Sequence, residues 1–259
     1  MASTFETGHT NNVANFQQLI EFINGYGAAY NPSREELTII SLNNLLEQAK
    51  TEMEKTTIAK SVFYNAVNER RQAFNQLKKL APQVVNAMAA SAIPAMALQD
   101  AKDILRKMNG KRAKKIQPRQ EATTSVTETS NPQPVTPNAK AIEDKHISAA
   151  QLGFDNMIAH FSKIVQLAVL QNAYKPNEAT LTTSALKQKS DELNKLNGAV
   201  MNTYSGWSNA RLSRNQVLYN PLIGLTPVAA SAKLYVKSIF GASSHQYKQI
   251  SNIKFTAKK

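Results

Sequence analysis

SREELTIISLNNLLEQAKTEMEKTTIAKSVFYNAVNERRQAFNQLKKLA, residues 33–81, contains neither Pro nor Gly and is dominated by good helix formers. Apolar side chains recur along it at spacings of three and four: Ile39, Leu42, Leu46, Ala49 and Met53, then Phe63, Val67, Phe74 and Leu77. Ser33 follows Pro32 and precedes Glu36 by three, which predicts a capping box in which hydroxyl and carboxylate each satisfy a free backbone N–H. Unbroken, such a helix would be about 70 Å long. A kink or short turn near Thr56-Thr57 would fold it into two antiparallel helices, and that bundle is the preferred reading.

The same text recurs further along. Ala29-Tyr30-Asn31-Pro32, Leu37-Thr38 and Leu42 return as Ala173-Tyr174-Lys175-Pro176, Leu181-Thr182 and Leu186, at a constant offset of 144. That offset also carries Phe63 onto Trp207, Asn65-Ala66 onto Asn209-Ala210, and Arg70 onto Arg214. Leu77, Leu80 and Pro82 match Leu222, Leu225 and Pro227 after a one-residue slip, and Ala101-Lys102 through Gly110 match Ala232-Lys233 through Gly241. Aligned matches over a whole unit predict an internal duplication. In the second copy Leu186, Leu193, Val200, Tyr204, Trp207 and Leu218 keep nearly the same frame, with Gly198 as the turn. A preceding helix (Asn12 to Tyr30, Ser148 to Tyr174) and a following one would complete each bundle.

The expected fold is therefore all-α: two tandem homologous helical bundles of three to four helices, with long central helices, joined by a disordered linker. Its boundaries are a flexible N-terminus over 1–11, a first repeat over 12–116, a linker over 117–141, a second repeat over 142–241 and a basic C-terminal tail over 242–259. The linker holds Pro118, Pro132, Pro134 and Pro137 among Ser and Thr, and buries too little surface to offset the entropy of ordering it.

Charge is unevenly placed. The net value is +13. Lys102 to Arg119 carries +7 and Lys233 to Lys259 carries +6, so the rest of the chain is balanced. The excess sits at the end of each copy. A bland account is solubility, since basic tails are common. A sharper one is a pair of cationic arms for a polyanion, bound through counterion release rather than base readout. Lys111, Arg112, Lys114 and Lys115 in the first arm, and Lys248, Lys254, Lys258 and Lys259 in the second, would carry it. Tyr235, Phe240, Tyr247 and Phe255 lie among the second set of lysines, and aromatics among cations can stack on unpaired bases. The spacing of Tyr235 and Phe240 suits the core face of a last helix better.

Chemistry-bearing motifs are scarce. The chain has no Cys, which removes disulfides, thiolate nucleophiles and Cys-type zinc sites. His9, His146, His160 and His245 do not pair at metal-ligand spacing, and His160 reads as a partly buried helix residue. No Walker loop, Gly-x-Gly-x-x-Gly or Gly-x-Ser-x-Gly is present, and the 18 acids fall on helix surfaces among lysines. No catalytic, cofactor or metal residue is assigned, and a non-enzyme is expected. Asn65 with Arg70, and Asn209 with Arg214, read as a register-fixing hydrogen bond ahead of a small anion site. The Met-Ala-Ser-Thr start shows no secretory signal and no stretch is long enough to span a bilayer, so a cytoplasmic home is the default.

The phrases Gly8-His9-Thr10-Asn11-Asn12-Val13-Ala14-Asn15-Phe16, Asn209-Ala210-Arg211-Leu212-Ser213-Arg214-Asn215 and Phe240-Gly241-Ala242-Ser243-Ser244-His245-Gln246-Tyr247-Lys248-Gln249 resemble ones in a group of bacterial proteins of the Bacteroidetes type. That group is similar in length, with two helical repeats and a Pro-rich middle, and has no known activity. The resemblance implies a prokaryotic origin and transfers no functional residues.

Two functions follow as expectations. One is a non-enzymatic binding or scaffold protein whose cationic repeat ends engage nucleic acid or another polyanion without sequence specificity. The other is a helical protein–protein interaction or self-assembly module, motivated by the sustained 3–4 pattern. Membrane-surface association through Leu222 to Phe240 is a more remote third.

Overall fold

The computed structural model describes residues 4–111 and 152–256. The linker at 117–141 and the residues flanking it fall outside the described residues, as do Arg112, Lys114, Lys115, Lys258 and Lys259. Among the described residues the protein is all-helical, with no strand. Its seven α-helices are α1 (Thr4–Gly25), α2 (Ile39–Ala90), α3 (Ala95–Met108), α4 (Phe154–Leu170), α5 (Thr183–Tyr219), α6 (Leu225–Phe240) and α7 (His245–Ser251).

The expected turn at Thr56-Thr57 is absent, and α2 is one helix of 52 residues. Two causes are visible. Positions 42, 46, 49, 53, 56, 60, 63, 67, 70, 74, 77, 81, 84 and 88, four and three apart in alternation, are all buried or half-buried, so one seam runs the whole length. The threonines are accommodated by their hydroxyls, Thr56 Oγ1 donating to Glu52 O at 2.8 Å and Thr57 Oγ1 to Met53 O at 3.0 Å. Gly198 likewise sits inside an unbroken α5. The helix even runs through Pro82, where a backbone donor is lost. Val84, Val85 and Met88 beyond it are 0–2% exposed, and their burial holds the last turns.

The start of α2 also differs from the Ser33 capping box. Residues 35–37 form a 3-10 turn, and α2 begins after Thr38, whose hydroxyl accepts from Ser41 N at 3.3 Å. Tyr30 explains the delay: its hydroxyl donates to Leu37 O at 2.8 Å and fixes the loop ahead of the helix. At the start of α5, Tyr174 donates to Leu181 O at 2.8 Å and Thr182 Oγ1 accepts from Ala185 N at 3.3 Å. The two helix starts are built alike.

The chain forms two compact units, which do not coincide with the spans 12–116 and 142–241 read from the sequence. The first unit gathers residues 1–69 and 198–259, the second residues 70–197. In the first unit α1 contributes Phe16, Leu19, Ile20 and Ile23 to the core, α2 contributes Leu42, Leu46 and Ala49, and α6 contributes Leu225, Val228, Ala229, Ala232 and Val236. In the second unit the core is Phe74, Leu77 and Val84 of α2, Ala101 and Met108 of α3, Met157, Phe161 and Ile164 of α4, and Leu186 and Leu193 of α5. Each unit thus takes one half of each long helix.

Both ends of the first unit are more ordered than expected. α1 starts at Thr4 where 1–11 reads as flexible, and residues 245–256 fold as α7 and an extended segment where 242–259 reads as a tail. Ile250 is fully buried and Ile253 is 8% exposed, so the segment belongs to the core. Tertiary hydrogen bonds described below supply what local composition lacks.

Candidate interaction surface

The hydrophobic core of the first unit reaches Met53 on α2 and resumes at Val217 on α5. Between those points the helices meet through four aromatic rings. Phe63 and Trp207 stack with centroids 5.3 Å apart and planes 22° from parallel. Tyr64 lies 5.5 Å from Phe63 and 6.3 Å from Trp207, and Tyr204 lies 5.6 Å from Phe63 and 6.3 Å from Trp207. Arg211 caps the Trp207 ring at 5.3 Å, a cation–π contact. Tyr64 and Tyr204 remain 49% and 51% exposed, and Ile58, Val62, Met201 and Leu212 add apolar exposure on the same stretch of helix. Phe63 and Trp207, which lie on the apolar frame read from the sequence, are both half-buried. Such a concentration of Tyr, Trp, Met and Arg is the composition that protein contact surfaces favour.

The cationic residues are dispersed. Lys111 belongs to the second unit, Lys248 and Lys254 to the first, and all three are exposed, with no ion pair to another described residue. The first arm is less free at its root than its composition suggests. Gly110 has φ +64°, and the Lys111 N–H returns to Arg106 O at 3.0 Å, closing α3 with a left-handed cap. Arg106 pairs with Asp103 at 3.2 Å.

The aromatics of the second arm serve the fold. Tyr235 packs edge-on against Tyr30 at 5.2 Å and Phe240 against Tyr26 at 5.4 Å, and Tyr247 and Phe255 lean on the same core. Lys237 sits 5.6 Å over the Tyr247 ring. Their rings are engaged within the unit, which weakens the case for a base-stacking platform there.

Three side chains whose role the sequence did not mark hold the C-terminal segment. Asn12 is fully buried; its Nδ2 donates to Thr256 O at 2.9 Å while its Oδ1 accepts from Thr256 N at 2.8 Å, one amide reading both backbone groups. Asn12 Nδ2 also donates to the Tyr219 hydroxyl at 3.2 Å, and that hydroxyl shares a 2.6 Å hydrogen bond with His9 Nδ1. Asn15 Nδ2 donates to Lys254 O at 2.7 Å. Lys233, counted with the cationic arm, is partly buried and donates to Ser251 O and Ile253 O at 3.0 and 2.9 Å. Burial pushes the Tyr219 hydroxyl up from its usual range, opposed by Asn12 and Arg214.

The Asn–Arg pattern resolves differently from its sequence reading. Asn65 is exposed, and Arg70 reaches across to Asn197 instead: Nη1 donates to Asn197 Oδ1 at 2.9 Å. Asn197 Nδ2 donates on to Asp155 Oδ1 at 2.6 Å, and the guanidinium lies 4.0 Å over the Phe154 ring. Burial holds Arg70 below its usual pKa, with Asp155 acting the other way. The link is interhelical and does not involve Asn65. Arg214 is 3% exposed and Asn209 exposed. His160 is half-buried on α4, its pKa lowered by burial and then by Lys163 and Lys107.

Among the described residues no helix is long and apolar enough to cross a membrane. Compared with protein-family models, with curated proteins and with solved structures, the chain finds no match in any of the three.

Proposed function

We propose that this chain is a non-enzymatic helical scaffold that binds a helical protein partner, or itself, through the aromatic stretch of its long helices. The observation that carries this reading is the cluster of Phe63, Tyr64, Tyr204 and Trp207, half of whose tyrosine surface faces water where the core of the first unit has ended. Exposed apolar surface of this kind is stabilised by covering it. The continuous seven-residue seam supports it further, because extended helices of this type pair with other helices.

The chain also reads as an internal duplication whose copies exchange halves. The matching Tyr30–Leu37 and Tyr174–Leu181 bonds, 144 residues apart, and the matching Thr38 and Thr182 caps support that reading.

The test is the Tyr64→Ser, Tyr204→Ser double variant of the full chain. Light scattering gives its mass and cross-linking in cell extract gives its contacts. The wild type is expected to self-associate or to cross-link to a helical protein, and the variant to lose that contact with its thermal midpoint unchanged. Equal masses and equal cross-links for both proteins would sink the reading.

A second reading, polyanion binding, rests on Lys111, Lys248 and Lys254 being exposed, with no carboxylate partner among the described residues. Its test is a salt titration with DNA or RNA: binding at about 50 mM salt that weakens steeply by about 200 mM supports it, and no binding at the lower salt removes it.

A further inference from the structure

Lys233 is a partly buried cation without an anion. It occupies α6 between Ala232 and Val236, both fully buried, and its ammonium is drawn inward. Its two hydrogen bonds go to the carbonyls of Ser251 and Ile253, which are neutral acceptors, and among the described residues no carboxylate lies within ion-pair range. An ammonium has three donors, so one is left. Burial holds its pKa below the usual lysine value, the direction expected of a desolvated charge lacking a counter-ion.

An open cleft of about 680 Å³ lies beside it. Lys254 supplies a second lining cation, and among the described residues no acidic one lines it. Pro227, Ala230, Ile253 and Phe255 make the rest of the wall largely apolar. This size and this mixture, an apolar wall with a few converging polar groups, are those of small-molecule sites. A bare inorganic anion would leave the apolar wall wet, and a neutral lipid would leave the lysines uncompensated.

We propose that this cleft binds a single-chain amphipathic carboxylate, its head on Lys233 and Lys254 and its alkyl body on Pro227, Ala230, Ile253 and Phe255. The site lies within the first unit and is independent of the aromatic stretch on the long helices. Filling it joins α6 to the segment after α7 through the ligand, so binding stabilises the C-terminal closure.

Titration calorimetry on the full chain tests this with three probes: dodecanoate below its micellar concentration, dodecanol as the neutral chain, and acetate as the head alone. Dodecanoate is expected to bind with one-to-one stoichiometry and at least about tenfold more tightly than dodecanol, the worth of one charge-assisted hydrogen bond. Acetate is expected to show no measurable heat. Lys254→Gln should weaken dodecanoate about threefold to tenfold with no change in thermal midpoint, since the side chain is exposed. Ala230→Phe, also at an exposed position, should block the cleft without disturbing the core. Equal affinity for dodecanoate and dodecanol, or unchanged binding in Ala230→Phe, would reduce the effect to adsorption and overturn the proposal. So would the absence of dodecanoate binding at about 1 mM.

Discussion

The two compact units share a helix-start device and differ in how they are closed. In both, a tyrosine donates to a carbonyl seven residues on, and a threonine hydroxyl caps the long helix that follows. The first unit then adds α7 and an extended segment, held by the amides of Asn12 and Asn15 and the ammonium of Lys233. The second unit has no such segment among its described residues and concentrates its polar contacts in the Arg70–Asn197–Asp155 chain under the Phe154 ring. Their clefts differ accordingly. That of the first unit is lined by lysines alone among charged residues, whereas one of about 580 Å³ in the second carries Lys187 and Asp191 together. Similar helices thus support different surfaces, and what differs is the long-range polar contact laid over them.

The largest test of this comparison truncates each core. Phe16→Ala in the first unit and Phe161→Ala in the second, both fully buried, are each expected to cost about 3–5 kcal/mol. Trp207 is the single tryptophan and lies in the first unit, so its fluorescence reports that unit while circular dichroism reports both. Phe16→Ala should lower the fluorescence midpoint below the dichroism midpoint, and Phe161→Ala should reverse the order. Coincident transitions in both variants would mean that the units unfold as one.

Next in size is Asn12→Ala, which removes a fully buried amide and with it the partner of both the Thr256 N–H and C=O. A loss of about 2 kcal/mol is expected, seen first in fluorescence, with proteolysis cutting the C-terminal segment sooner. Wild-type cleavage rates would show that the segment does not depend on this amide.

Smaller still are the two tyrosine staples. Tyr30→Phe and Tyr174→Phe should each cost about 1 kcal/mol in denaturant unfolding at neutral pH. They also differ with pH. Burial, helped by Tyr235, raises the Tyr30 hydroxyl to about 12 from 10.0, and burial with Glu178 raises Tyr174. A raised pKa means that the folded state keeps its proton after the unfolded chain has lost it. The contribution is therefore whole below about pH 10 and falls as pH climbs from 10.0 toward about 12. Unfolding measured across that window should lose stability less steeply in Tyr30→Phe than in the wild type. An identical slope would contradict the burial argument.

The smallest effect is expected at Asn65 and Asn209. Both are exposed, so alanine at either should change stability by less than about 0.5 kcal/mol. A loss above about 1 kcal/mol at one of them would restore it to the register-fixing role read from its spacing to arginine.

Legibility from sequence followed the range of the contact. The helices were readable because apolar side chains at three and four residues apart are a local signal, and the loop ahead of each long helix was marked by its repeated Tyr-x-Pro. The threonines at 56 and 57 misled as a turn, because local propensity omits the buried seam that runs past them and the back-bonded hydroxyls. Of the eight cationic residues singled out, three are described and none joins another in an ion-paired site. Asn12, Asn15 and Lys233 were not legible at all, since Asn12 and Thr256 stand 244 positions apart and an asparagine in a polar stretch carries no mark of its partner.

By itself, then, the sequence determined that the protein is helical, where its long helices lie, and that their apolar seams keep one frame. Which halves associate was decided by tertiary structure alone. A seam of the same spacing on α2 and on α5 does not say which half of which helix shares a core with the other. An unbroken helix cannot fold back on itself, so each half of α2 and of α5 is covered in a separate core.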